Sequence, residues 1–166
     1  KGVEWNKDLI KRIQAVSGQP TTTTATALVE AARVFGAQKL SIATPYTEES
    51  NNLMVAFFVE SGFQVLSIKG LNMYKAGDPS RVTQHMIYGL VEKVWSPETD
   101  CLILSCTDMP TIKLIEKLES KWRVPVISSN LATFWHMLQL VGVHVPIESF
   151  GRLLCANKSY VPVIEG

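Results

Sequence analysis

No run of apolar residues in this 166-residue sequence is long enough to span a bilayer, and no secretory signal is visible. Cysteine is scarce. Cys101, Cys106 and Cys155 are an odd number with no closely spaced pair, which argues against a disulfide framework and against a zinc knuckle. An excess of one charge is also missing. Sixteen Lys and Arg against fifteen Asp and Glu leave +1, mixed along the chain, so neither a nucleic-acid groove nor a polybasic membrane patch is expected. There is no Gly-x-Gly-x-x-Gly fingerprint and no Walker sequence. His85, His136 and His144 lie far apart, with no metal-ligand spacing. These absences lead us to expect no cofactor, no metal, no nucleic-acid or membrane partner, and a reducing, cytoplasmic location.

What the sequence does contain is a regular alternation. Hydrophobic residues make up 46% of the chain, ample for a core. Trp5, Leu9, Ile10 and Ile13 fall at helical spacing and predict a helix over 5–17 that stops at Gly18. A second helix is expected over 25–35, ending at Gly36. Residues 39–44 read as a buried strand, and Thr47 caps a helix running to about Ser61. Residues 63–68 form a second strand. Asp78 and Pro79 are expected to open a helix whose inner face carries Val82, Met86, Leu90 and Val94. The most apolar strand is 101–105. Pro110 opens a helix over 111–121, a fourth strand follows at 124–128, and a last long helix covers 131–141. The four tryptophans, Trp5, Trp95, Trp122 and Trp135, suit helix–sheet packing. Strands separated by helices of this length imply βαβ crossovers. The expected fold is a three-layer α/β lobe, flavodoxin-like, with a four-stranded parallel sheet flanked by helices.

The plan of residues 20–36 recurs at 125–142. Each has a proline, an extended hydroxyl-bearing stretch, a helix and a glycine, and each follows an amphipathic helix whose last apolar residue, Ile13 or Leu118, lies seven positions before the proline. The chain also opens at Lys1 directly into a helix. Residues 1–36 therefore read as the C-terminal end of an incomplete first lobe, 37–142 as a second α/β lobe, and 143–166 as a tail. The missing first lobe is an expected partner, with residues 1–36 packing as an appendage or against other material. A homo-oligomer is also possible.

In such folds ligands sit beyond the C-terminal ends of the strands. Cys106 follows the most apolar strand and precedes the Pro110 helix, so backbone N–H groups and the helix dipole are expected to favour its thiolate. The alternative is an inert buried cysteine. Thr107 either donates to an anion or supports the turn. Tyr46, after Pro45, either binds an oxyanion through its phenol or packs on a helix. Thr44 has similar standing. Ser128, Ser129 and Asn130 close the fourth strand, where helix capping accounts for them. Ser129 is retained as a candidate substrate contact. Cys101 and Cys155 read as structural.

Several segments, in order, carry a resemblance. They are Trp5 to Ile13, the run from Pro20 to Thr24 before Ala27-Leu28, Ala43-Thr44-Pro45-Tyr46, Ser105-Cys106-Thr107, Pro125 to Ser129, and Gly151-Arg152-Leu153-Leu154. In these the chain resembles the aspartate/glutamate racemase superfamily, and within it the branch of maleate cis-trans isomerases and arylmalonate decarboxylases. The resemblance implies two similar lobes about a pseudo-twofold cleft and cofactor-free chemistry on a small carboxylate or dicarboxylate. It implies that Cys106 is the second-lobe proton-transferring cysteine, Tyr46 the carboxylate-holding tyrosine, and Thr107 the anion-binding residue beside the cysteine. The first-lobe cysteine of racemases and isomerases would precede Lys1. Two departures stand out. Ala76 falls where maleate isomerases have a substrate-binding asparagine, and Ser-Cys-Thr replaces the Ser-Cys-Gly typical of the decarboxylase. The resulting expectation is a cofactor-independent racemase or isomerase, inactive as the isolated chain. The alternatives are a maleate isomerase proper, an arylmalonate-type decarboxylase, or a non-catalytic dicarboxylate-binding homologue.

Overall fold

The computed structural model describes residues 2–156. Four strands, β1 (Lys39–Thr44), β2 (Gln64–Gly70), β3 (Cys101–Leu104) and β4 (Val126–Ser128), form one parallel sheet in the order β2-β1-β3-β4. Among the described residues the α-helices are α1 (Val3–Ser17), α2 (Thr24–Val34), α3 (Glu48–Glu60), α4 (Gln84–Val94), α5 (Ile115–Trp122) and α6 (Ser129–Leu140). The expected α/β fold is the observed one. The central strands β1 and β3 are covered on both faces, which is why Leu40, Ile42, Ala43 and all four residues of β3 are apolar and buried. β2 lies at an edge and tolerates exposed Gln64 and Lys69.

Helix boundaries follow from local chemistry. The side chains of Thr23, Thr47, Thr83 and Ser128 each accept a backbone N–H of the helix they precede. Gly18 ends α1 in the left-handed conformation, its N–H donating to the Gln14 carbonyl. Two expected helix starts are corrected. Asp78 and Pro79 open only a single 3-10 turn (Asp78–Arg81), because Val82 is extended and Thr83 starts α4 afresh. The register of α4 therefore turns Met86 outward and buries Ile87 and Val91 beside Leu90 and Val94. Pro110 likewise does not begin the next helix. A 3-10 turn (Ile112–Leu114) intervenes before α5.

α2 is not an appendage. Ala27, Leu28, Val29, Ala31 and Ala32 are buried in the same core as the sheet, and the alanines let α2 pack closely on α6. Hydrogen bonds between Thr22 and His136 (2.8 Å) and between Thr133 and Thr24 (3.2 Å) link the two elements. α1 lies at the margin of that core, with Val3 packed against it. Asn6 is its buried residue, tied to Thr26 and Thr23 at 2.7 Å each, while Trp5, Ile13 and Val16 are exposed. The tail returns to the body at Leu153 and Leu154, both buried, and Glu119 of α5 accepts the N–H groups of Val126 and Arg152. Tail positions 157–166 lie outside the described residues.

Candidate active site

Parallel register decides which strand ends meet. Ala43 of β1 pairs with Leu104 of β3, and Leu104 with Ser128 of β4. Thr44, Ser105 and Ser129 therefore follow in the next row across the sheet, and Tyr46 and Cys106 lie just beyond it. The Ser105 N–H donates to the Ala43 carbonyl at 3.0 Å, carrying the β1–β3 alignment past the last residue of β3.

Tyr46 reaches across this edge. Its phenol lies beside the Cys106 thiol and the Ser105 hydroxyl, close enough for both to act on its ionisation. Burial, then the adjoining Cys106 and more weakly Asp108, push the phenol up to about 12, against an opposing effect of the Ser105 hydroxyl. At neutral pH Tyr46 therefore keeps its proton and is a hydrogen-bond donor. Cys106 itself is buried, at 7% exposure. A neutral phenol and a hydroxyl beside a thiol are equipped to hold negative charge on a bound oxygen while the sulfur gives or takes a proton.

The expected electrostatic setting of Cys106 needs correction. α5 begins at Ile115, nine residues past Cys106 and after an intervening 3-10 turn. The effect of a helix dipole is concentrated in its first turn, so α5 does not supply the field expected at the thiol. The turn is organised locally instead. The Cys106 carbonyl accepts the Met109 N–H at 3.3 Å, with Met109 buried beneath the loop. The helix start joined to this loop is that of α6, where the Asn130 amide donates to the Thr107 carbonyl at 3.0 Å.

The other candidates occupy distinct places. Thr107 is exposed. Thr44 is fully buried, and its hydroxyl donates to Asn51 at 2.7 Å while accepting the Tyr46 N–H at 3.1 Å. Ser129 is buried in the first turn of α6, its carbonyl accepting from the Thr133 hydroxyl at 2.8 Å. Ser128 is the cap of α6. His136 is buried between α6 and Thr22, His144 bonds Gln139 at 2.7 Å, and His85 is exposed. Among the described residues no group of three or more His, Cys, Asp or Glu is placed to hold a metal ion. None of the helices there is long and apolar enough to cross a membrane. Asn51 is a residue at this edge that the sequence reading passed over. The signal was present: Asn51 precedes Met54 and Phe58 at helical spacing, a polar residue on a face otherwise turned to the core.

The chain is similar to known proteins over most of its length. A family model described as arylmalonate decarboxylase matches residues 1–154. The arylmalonate decarboxylase of Bordetella bronchiseptica is 28% identical over 144 residues, covering 86% of this chain and 60% of that protein. A maleate isomerase of Nocardia farcinica is 27% identical over 133 residues, covering 80% of this chain and 53% of the relative. A crystal structure of arylmalonate decarboxylase superposes with a TM-score of 0.85 at 28% identity, covering 92% of this chain and 68% of the other. The chain thus spans little more than half the length of the curated relatives it matches.

Proposed function

The chain belongs to the arylmalonate decarboxylase family, and from that premise we propose that it is the proton-transfer lobe of a cofactor-independent isomerase or racemase acting on a small carboxylate or dicarboxylate. Cys106 is the proton-transferring group. Tyr46 donates from its phenol to the substrate carboxylate, Thr107 and Ser129 line the anion's other side, and Thr44 supports the turn that carries Tyr46. The observation that carries the reading is the Tyr46 phenol beside the Cys106 thiol at the C-terminal edge of a parallel sheet. The substrate class rests on the relatives named above, an arylmalonate decarboxylase and a maleate isomerase, whose named substrates are both dicarboxylates.

The chemistry requires little else from this lobe. Removal of a proton next to a carboxylate leaves an enediolate-like charge. That charge is stabilised by donors already in place, not by donors that must reorganise. A second acid or base on the opposite face is the natural task of a further lobe. In this proposal residues 1–36 end the chain of that lobe, with α2 packed on α6 of the present one. The recurrence of their plan at 125–142 supports this, and so does the exposed face of α1 at Ile13 and Val16. Free Cys101, Cys106 and Cys155 suit the reducing cytoplasm assigned to it.

The test is deuterium exchange at the carbon next to the carboxylate, followed by NMR in D2O. It uses the longer polypeptide with its additional lobe, offered maleate, aspartate, glutamate and phenylmalonate. Exchange or turnover of one of these, lost in Cys106→Ser with the fold retained, is the expected result. Undiminished exchange in Cys106→Ser overturns the assignment of Cys106.

A further inference from the structure

Tyr46 is useful at this edge only if its backbone is held still, because a phenol on a mobile turn does not keep its place beside Cys106. Two sets of bonds hold it. On one side, the N–H groups of Leu71, Asn72 and Met73 donate to the carbonyls of Thr44, Tyr46 and Pro45 at 3.2, 3.2 and 2.9 Å. Asn72 adopts a φ of 54° on the way. On the other side lies a relay. The Tyr46 N–H donates to the Thr44 hydroxyl at 3.1 Å, and that hydroxyl donates to Asn51 Oδ1 at 2.7 Å. The direction of the relay is forced. A hydroxyl that accepts from a backbone N–H has its own proton free to give, and Asn51 Oδ1 can only accept.

The amide end of Asn51 is equally constrained. A Cβ added to Gly70 would stand 2.6 Å from Asn51 Nδ2 and 2.0 Å from the Tyr46 carbonyl oxygen. Asn51, Gly70 and the Tyr46 backbone are therefore in direct contact. A buried asparagine in a helix, here 6% exposed, is unfavourable unless its polar atoms are bonded. Helix α3 would be better served by an apolar residue there if packing were its only role. We infer that Asn51 is a positioning residue for the proton-transfer site, fixing Tyr46 toward Cys106 through the Thr44 hydroxyl. The inference builds on the reading of Tyr46 and Cys106 given above.

Two readouts on the 166-residue chain test it. The first is the ring NMR signal of Tyr46 in protein labelled with 13C-tyrosine, assigned by Tyr46→Phe among four tyrosines. The second is the rate at which iodoacetamide alkylates Cys106, read by mass mapping. Asn51→Leu and Thr44→Val should each move the Tyr46 signal. Each should also change the alkylation rate about threefold or more, in the same direction as Tyr46→Phe, with no further change when combined with it. Asn51→Asp keeps the acceptor and should restore both readouts. Ile87→Val removes a buried methyl on α4 and should lower Tm while leaving both readouts alone. A Tyr46 signal unmoved in Asn51→Leu overturns the inference, and Thr44→Val decides it if Asn51→Leu does not fold. If Tyr46→Phe leaves Cys106 reactivity unchanged, the functional reading of the pair fails, while the ring signal still decides the role of Asn51.

Discussion

Cys101 and Cys106 lie five positions apart on the same strand and its exit, yet their surroundings differ. Cys101 starts β3 fully buried, and burial, followed by the charges of Glu119 and Asp100, pushes its thiol far above the ordinary cysteine range. Alkylation of the folded chain near pH 8 should therefore modify Cys106 ahead of Cys101; the reverse order in a mass map contradicts the proposed roles. Thr111 offers a different test at the same scale. Its hydroxyl is buried with no hydrogen-bond partner among the described residues. An unsatisfied buried hydroxyl costs about 1–3 kcal/mol, and valine has nearly the same shape. Thr111→Val should raise the midpoint of chemical unfolding, and a fall in that midpoint would show that the hydroxyl has a favourable role. Most of the candidate site was legible residue by residue, because Tyr46 and Cys106 are placed by the ends of their own strands. Asn51 was legible only as a polar residue on the core face of its helix; its bond to Thr44 was not, since the turn between strand and helix decides whether the two meet.

The elements repeat a single device, a hydroxyl side chain at the end of an extended stretch that starts the next helix. Thr23, Thr47, Thr83 and Ser128 all act this way. Thr83→Ala should cost about 1 kcal/mol, measured by urea unfolding, since the Met86 N–H loses its acceptor. The same substitution at a threonine without a capping role should cost much less. The sequence favoured Asp78 and Pro79 as the start of α4 because they fit the capping pattern, and so does Thr83 five residues later. The competition was settled by Val82, which is 2% exposed and extended, and whose burial interrupts the helix. Gly70 makes the opposite point about an element end. Its value lies in having no Cβ beside the Tyr46 carbonyl, so Gly70→Ala must displace the loop from the turn. The expected loss is about 2 kcal/mol or more, together with a displaced Tyr46. An unchanged unfolding midpoint would mean that the loop adapts freely.

At the scale of the molecule, the packing of α6 against the segment leading into α2 should depend on pH. His136 is buried there against Thr22, and burial lowers its pKa, with the charge of Glu30 acting in the other direction. The unfolded chain binds a proton on this histidine near its ordinary value of about 6.5, more readily than the folded chain does. The associated stability is therefore complete above that pH and is lost as pH falls through the lower, folded value. Unfolding measured at about pH 8 and about pH 5 should show a drop in the parent chain that His136→Gln reduces. An identical pH dependence in both would refute the assignment. The same contact shows where the sequence stopped being informative. Helix and strand periodicity, caps and prolines determined the α/β alternation, because each element follows from interactions within a few residues, and that alternation in turn implied a parallel sheet with Tyr46 and Cys106 at strand ends. Only the tertiary structure decided that α2 joins the main core while α1 stays at its margin, and that Thr44 and Glu119 serve as internal ties. It also decided that α6, not α5, is the helix joined to the cysteine loop. Those outcomes rest on pairs such as Thr22 with His136, 114 positions apart, whose free energy exists only once the sheet has brought them together.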